Sequence, residues 1–253
     1  MEAKGIIFTA LDTDHDNIES WNRWYDLEHL PPNIAMPEIA AGCRYVAPPE
    51  LHDIRLPTTG TYPGFDDGKG VNVTIYLTSV DPGDAIQAMT EFREVLEAGG
   101  RMEGAGRRTV RTGDAMDLSW VVGDPALRLD DRDVPHVGHT GIRVVLRRGD
   151  GDARAAAKRA VAVDGVHGVM SYTSRFFPGL EADIYLLSGV TADVTLAIRD
   201  AAPYAGSAEI ALDAPFDGIA PLDYSFAERI RASNLPATLD TDTVMAPRDG
   251  ESA

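Results

Sequence analysis

The stretch VNVTIYLTSVDPGDAIQAMTEFREVLEAGG, residues 71–100, predicts one strand followed by one helix. β-Branched residues alternate with other side chains over residues 71–78, a pattern typical of a strand. Asp81-Pro82 then opens a helix, and apolar residues recur at helical spacing until Gly99-Gly100 ends it. This strand–helix pair fixes the assignment of the segments on either side of it.

The segments around this pair complete a βαββαβ unit. Pro31-Pro32 is expected to stop the first helix, because the residue before a proline is driven out of helical geometry. The remaining elements predicted for this half are a strand at 5–11, a helix at 18–30, a strand at 43–47 and a strand within 109–122.

The second half of the chain repeats the same order of elements. Its third strand carries Ile184-Tyr185-Leu186, which matches Ile75-Tyr76-Leu77 of the first half. The coincidence of six elements in order is the stronger argument for a repeat. The elements are strands at 140–146, 169–176, 183–188 and from 209 onward, with helices at 152–163 and 193–201.

Two such units explain how the sheets are buried. A four-stranded sheet with both helices on one face leaves its other face bare, and a second copy of the unit covers it. We therefore expect a first half at 1–122, a second half at 136–226 and a C-terminal tail at 227–253, with 123–135 as connector. The alternative is two independent α+β domains joined by that connector.

Composition limits the classes of function. The 253 residues carry a formal net charge of −17, so nucleic acid and anionic membranes are not expected as partners. The one cysteine, Cys43, excludes an intrachain disulfide and a C-x-x-C metal or redox motif. The apolar run at 5–11 is too short for a signal peptide or a membrane span, which predicts a cytoplasmic protein.

The segment WNRWYDLEHLPPNIAM, residues 21–36, carries the most chemistry. On a helix Trp21, Tyr25 and His29 share one face, and Trp24 and Glu28 form the adjacent stripe. The carbonyl end of the helix would raise the pKa of His29, while burial would lower it. Such an imidazole can serve as a proton acceptor or donor, but the same stripe also suits an amphipathic face packed on a sheet.

The run Trp24-Tyr25-Asp26-Leu27-Glu28-His29-Leu30-Pro31, followed by Ala41-Gly42-Cys43-Arg44-Tyr45, resembles the signature of the dimeric α/β-barrel superfamily, in its EthD-like branch. The resemblance implies that His29 faces a pocket between helices and sheet. It also implies an α+β fold in which two tandem ferredoxin-like βαββαβ units pack sheet to sheet as a dimeric α/β-barrel within one chain. The second half lacks the aromatic–histidine motif, so the site is expected in the first half.

With this resemblance, His29 is predicted to be the catalytic acid/base and Tyr25 to orient a substrate oxygen. Arg44 would neutralise an enolate or carboxylate, or instead pair with Asp26. A long loop at 48–70 is expected over the pocket mouth, because loops of this length are usually lids or binding loops. The predicted substrate-binding residues are Trp21, Trp24, Glu28, Tyr62, Phe65 and Tyr76.

These residues predict a cofactor-independent enzyme that moves a proton on a small, largely apolar polyketide-, aromatic- or lactone-like substrate, as an isomerase, cyclase or lyase. The superfamily also allows a cofactor-free monooxygenase, a haem protein with His29 as iron ligand, or a non-catalytic binder of small ligands. No metal or cofactor is expected, and two chains could pair as a homodimer. His136 and His139 point to opposite faces of an extended segment and are interpreted as linker residues.

Overall fold

Eight antiparallel strands close into a barrel in the computed structural model of this chain. The order around the barrel is β1-β3-β2-β8-β5-β7-β6-β4, and β4 pairs with β1 to close it. The strands are β1 Gly5–Thr13, β2 Ile39–Val46, β3 Asn72–Thr78, β4 Arg108–Gly123, β5 Gly141–Arg148, β6 Val166–Ser174, β7 Leu180–Leu187 and β8 Glu209–Gly218. The structure describes residues 2–57, 62, 64–65, 68–105, 108–149, 151–204, 208–233 and 235.

Helices lie between the first and second, and the third and fourth, strands of each half. They are α1 Ile18–Trp24, α2 Leu30–Ile34, α4 Pro82–Ala98, α5 Ala153–Ala160 and α6 Thr191–Ala201, whereas the short α3 Pro49–His52 lies between β2 and β3 and α7 Ala227–Arg231 follows β8. The strands run β4-β1-β3-β2 in the first half and β8-β5-β7-β6 in the second, which is the same relative order. The expectation of an α+β fold is confirmed, with the strands of both halves in one closed barrel.

The two seams that join the halves differ in length. Strands β4 and β6 form seven residue pairs, from Met116↔Ser174 to Gly123↔Gly168. Strands β2 and β8 form two pairs, Tyr45↔Gly218 and Val46↔Asp217, with one further hydrogen bond from the Ile219 N–H to the Arg44 carbonyl at 2.9 Å. Among the described residues, the first part of β2 therefore pairs with β3 on one side and with no strand on the other.

The interior of the barrel is apolar because alternate residues of each strand point inward. Fully buried side chains such as Phe8, Leu146, Ile184 and Phe216 meet there. Burial of each such side chain contributes about 1.5–3 kcal/mol relative to exposure. The helices cover the outer face, where for example Tyr185 and Ile198 pack together.

The loop between β2 and β3 sends two aromatic rings into the barrel. The Phe65 centroid lies 6.3 Å from that of Phe8 and 6.4 Å from that of Phe216. Tyr62 packs 5.7 Å from Phe177, and its hydroxyl lies 3.3 Å from the Thr112 hydroxyl. These two rings belong to the interior cluster, whereas residues 58–61, 63 and 66–67 of the loop lie outside the described residues.

The prediction that Pro31-Pro32 ends the first helix is wrong. A single wide turn, Tyr25–His29, follows α1, and its last hydrogen bond runs from the Leu30 N–H to the Tyr25 carbonyl, five residues back. The prolines then occupy the second and third positions of α2, within its first turn, where a proline is tolerated because the first N–H groups of a helix need no partner within it. His29 therefore lies inside a longer helical segment and not in its last turn.

The beginning of the predicted C-terminal tail is packed. Phe226, Ala227 and Ile230 form a buried cluster with Ile18 and Val46. Residues 236–253 lie outside the described residues. None of the described helices is long and apolar enough to cross a bilayer.

Candidate active site on the first helix

The wide turn at Tyr25–His29 gathers the aromatic residues of the first helix. The His29 ring stacks on Trp24, with centroids 4.8 Å apart and planes at 22°. Tyr25 meets His29 edge-on at 4.7 Å and Trp21 at 5.4 Å. The structure thus brings together the aromatic face that the spacing of the sequence predicts.

Tyr76 joins this cluster from the sheet. It comes from β3, and its hydroxyl lies 3.2 Å from the hydroxyl of Tyr25. Burial raises the pKa of Tyr76 well above its ordinary value, so the Tyr76 hydroxyl stays protonated near pH 7. The phenol pair ties the wide turn to the outer face of the sheet.

Arg44 is buried against the same cluster but is already paired. Its guanidinium forms an ion pair with Asp26, donates to Asn22 and lies 4.2 Å from the centroid of the Tyr25 ring. The other Asp26 oxygen accepts from the Leu222 N–H at 2.9 Å and the Tyr224 hydroxyl at 2.7 Å. Of the two roles expected for Arg44, the geometry matches the pair with Asp26, which is buried and not on the surface.

Glu28 and the long-loop aromatics lie away from the His29 ring. Glu28 points to solvent and accepts from Arg101 Nε at 2.8 Å, while Trp24 Nε1 donates to the Arg101 carbonyl, also at 2.8 Å. Tyr62 and Phe65 belong to the barrel interior. The cluster at His29 therefore contains Trp21, Trp24, Tyr25 and Tyr76 from the predicted set.

A cation at this site, Arg108, was not predicted from the sequence. Its guanidinium lies 5.3 Å from the centroid of the Trp24 ring, and it has no carboxylate at ion-pair distance among the described residues. Burial, and then the nearby Arg93, lower the pKa of Arg108. It comes from the start of β4, 79 positions after His29, so no local spacing could have linked the two residues.

The imidazole of His29 is neutral near pH 7. Burial lowers its pKa to about 4, and the guanidinium groups of Arg108, Arg44 and Arg93 add to this effect. The helix end expected to raise the pKa is absent, because the helical segment continues to Ile34. Within the described structure the buried Nδ1 atom of His29 has no hydrogen-bond partner. A neutral ring beside cations can accept a proton from a weak acid whose anion the cations stabilise.

The described residues contain no group of three or more His, Cys, Asp or Glu side chains arranged to hold a metal ion. A histidine ring could ligate a haem iron in principle, and His29 is the only histidine in this cluster of described residues. The site therefore offers one imidazole, which can act as a proton acceptor or as the single histidine ligand of a haem iron.

The solved structures that resemble this chain share little of its sequence. No protein-family model matches the chain, and no curated protein matches its sequence. A candidate monooxygenase from Fusobacterium nucleatum is 9% identical, with a TM-score of 0.49, over 86% of this chain and 94% of its own. A candidate chlorite dismutase is 11% identical, with a TM-score of 0.49, over 90% and 99% of the two chains.

An anthrone oxidase-like protein is 12% identical, with a TM-score of 0.41, over 86% of this chain and 92% of its own. With TM-scores below 0.5, none of these likenesses carries an argument about the site. The strand pairing and helix order by themselves define the class: an α+β protein built on a closed eight-stranded antiparallel barrel.

Proposed function

We propose that this chain is an enzyme that moves a proton on a small, largely apolar molecule at His29, without a bound cofactor. One observation carries the proposal: a neutral imidazole with an unpartnered nitrogen lies beside cations, among them Arg108, which has no carboxylate partner in the described chain. Isomerisation, cyclisation and lyase-type cleavage all begin with such a proton transfer. The aromatic rings around His29 suit an apolar substrate of polyketide, aromatic or lactone type.

Each residue of the cluster has its own part in this reaction. The imidazole of His29 accepts a proton from an acidic C–H or O–H group of the substrate. Arg108 stabilises the enolate or phenolate that remains, in place of Arg44, whose charge Asp26 already balances. The new anion also raises the pKa of the imidazole as the proton arrives, which offsets its low starting value. The Tyr25 hydroxyl orients the substrate oxygen.

We further propose that the chain is a tandem fusion of two ferredoxin-like units of the EthD-like branch. The repeated strand order in the two halves supports this assignment. The residue motif around His29 supports the same branch and occurs in the first half alone.

Anthrone provides a direct test, because it is a flat, apolar ketone with an acidic methylene group. Wild-type protein is expected to accelerate the loss of that proton, followed by absorbance of the anion. His29→Gln should reduce the rate by about 10²–10⁴-fold, the usual contribution of a general base. Oxygen uptake in the same cuvette separates simple deprotonation from a cofactor-free oxygenation, which shares this first step.

Two further variants sharpen the test. Arg108→Gln should slow deprotonation while leaving the melting temperature close to that of wild type, and His167→Gln on β6 is the matched control that should keep the full rate. Equal rates for wild type and His29→Gln would refute the assignment of His29. A Soret band in the purified protein would replace it with a haem function.

A further inference from the structure

The short seam between β2 and β8 leaves an opening into the barrel. Before Arg44, this edge of β2 pairs with no strand of the described residues, and a groove of about 400 Å³ lies there. Volumes of this order are typical of sites for small molecules. Its walls are mostly apolar and come from the first helical segment, from β2, from the connector before β5 and from the segment after β8. They include Leu30, Ala41, Pro135, Val137, Ile219 and Pro221.

A hydrogen-bonded tyrosine–histidine pair lies at the inner end of this groove. The Tyr45 hydroxyl is 2.6 Å from His139 Nε2, and the two rings stack with centroids 5.8 Å apart. Both residues also line a small void of about 40 Å³ inside the barrel. The pair therefore separates the open groove from the apolar interior, a role for His139 that its interpretation as a linker residue did not include.

The direction of the hydrogen bonds in this pair can be assigned. His139 Nδ1 lies 2.8 Å from the Val137 carbonyl, which can only accept, so Nδ1 carries the proton. Burial lowers the pKa of His139 and raises that of Tyr45, so both groups are neutral near pH 7. In a neutral ring Nε2 is then an acceptor, and the Tyr45 O–H must donate to it.

This arrangement determines what the groove can recognise. The only proton of the Tyr45 hydroxyl is used by His139, so the phenol oxygen offers a ligand its lone pairs. We propose that the open seam binds a neutral, mainly apolar molecule that donates a hydrogen bond, such as an aromatic alcohol or phenol, to the Tyr45 oxygen. At the Tyr45 oxygen a carboxylate would meet an acceptor and no donor, so its desolvation there would be uncompensated.

This inference does not depend on the function proposed for His29. The groove contacts the first helix at Asp26 and Leu30, and His29 is not among the residues that line it. Loss of one site therefore need not abolish the other, and the two can be measured separately.

Three probes of one shape test the recognition. Titration calorimetry with 2-naphthol, naphthalene and 2-naphthoate measures the value of the donor group on a constant ring system. The hydroxyl should improve Kd by about fivefold to tenfold over naphthalene, the usual worth of one hydrogen bond. Equal Kd values for 2-naphthol and naphthalene, or a preference for 2-naphthoate, would overturn the role of the Tyr45–His139 pair.

Cys43 reports occupancy of the groove. It is the one cysteine of the chain and lines both the groove and the interior void, so alkylation by N-ethylmaleimide gives a single mass shift. Burial raises the pKa of the thiol, and the reaction is therefore run at about pH 8.5, near the ordinary thiol pKa. Saturating 2-naphthol should slow alkylation at least about tenfold, in proportion to occupancy. An unchanged rate would mean that 2-naphthol binds elsewhere or not at all, which overturns the proposal.

The last test compares a variant whose groove is filled by a larger side chain with a control variant changed elsewhere. Val137→Trp places an indole among the groove walls and should weaken 2-naphthol binding by more than about tenfold. Val190→Trp is the matched control, because Val190 is 64% exposed and belongs to a different loop. Equal affinity in both variants would place the ligand outside the seam. If Val137→Trp does not fold, the Cys43 protection on wild type still decides the question.

Discussion

The guanidinium of Arg44 holds the wide turn of the first helix against β2, and its charge is balanced inside the protein. Both partners of the Arg44–Asp26 pair are almost fully buried, with side chains 2% and 5% exposed. Removing one charge from such a pair is costly, because the remaining ion keeps its desolvation penalty without its partner. The pair is thus a constraint on stability close to the candidate catalytic residue.

Asp26→Asn tests this constraint. The substitution should lower the free energy of unfolding by about 3–5 kcal/mol, as measured by urea denaturation. Arg44→Met combined with Asp26→Asn removes both charges and should recover part of that loss. A single variant as stable as wild type would mean that water, and not Asp26, solvates the guanidinium.

The low pKa of His29 makes a prediction about acid stability. The pKa of His29 is about 4 in the folded chain, against an ordinary value of 6.5. As the pH falls, the unfolded state therefore takes up the proton first. The contribution of His29 is therefore fully present above pH 6.5 and is lost as pH falls towards 4, by up to about 3 kcal/mol.

His52 has the same sign, with its pKa lowered to about 2 by burial, so wild type alone cannot isolate the effect of His29. The difference between wild type and His29→Gln removes the His52 contribution. That difference in unfolding free energy should decrease between pH 7 and pH 4, and a constant difference would show that His29 keeps an ordinary pKa.

At the scale of elements, the helix after Asp81-Pro82 was predicted well, and the helix end at Pro31-Pro32 was not. The helix predicted from Asp81-Pro82 to Gly99 occurs as Pro82–Ala98, because Asp81 caps it by accepting from the Gly83 and Asp84 amides. The first helix was predicted to end before Pro31, whereas the helical segment continues through it. The wide turn at Tyr25–His29 has no sequence signature comparable to that of a proline. This turn nevertheless determines the direction of the His29 side chain.

The long loop between β2 and β3 was expected to cover the pocket mouth, but two of its aromatic residues pack in the barrel interior. Because Phe65 packs between Phe8 and Phe216, it stabilises the barrel interior. Phe65→Ala should therefore lower the free energy of unfolding by about 3–5 kcal/mol, typical of a buried phenylalanine. Chemical denaturation of the variant measures this loss.

Phe92→Ala is the matched control, because Phe92 is half-buried on α4. It should cost about 1 kcal/mol or less. A stable Phe65→Ala variant with impaired turnover would instead support the lid that the sequence suggested.

At the scale of the whole molecule, the local spacing of residues predicted one face of the candidate site. It missed the residues that distant strands contribute. Trp21, Tyr25 and His29 lie within nine residues, so helical periodicity alone could group them. Arg108 and His139 reach their places only when strands distant in sequence pair around the barrel. Their positions depend on strand order and register, which a single sequence leaves open.

Hydrogen exchange can test the open seam directly. The Arg44 carbonyl faces β8, so Gly42, two residues earlier, faces the same side, where β8 offers no partner. Its neighbour Cys43 faces β3 and pairs with Ile75. The Gly42 amide should exchange roughly a hundredfold faster than that of Cys43, because strand amides in a paired ladder open only with the core. Similar protection of the two amides, measured by NMR, would mean that the seam is covered in solution.

The unequal seams have a consequence for how such a barrel can vary. In an assembly of two identical chains related by a two-fold axis, every residue of one junction recurs at the other. A substitution that loosened one edge would loosen both, and the ring would come apart. Here each residue occurs once, so β4 and β6 can pair over seven residues while β2 and β8 pair over only two. A single covalent chain thus permits an asymmetric barrel, with one seam fully paired and the other open to ligands.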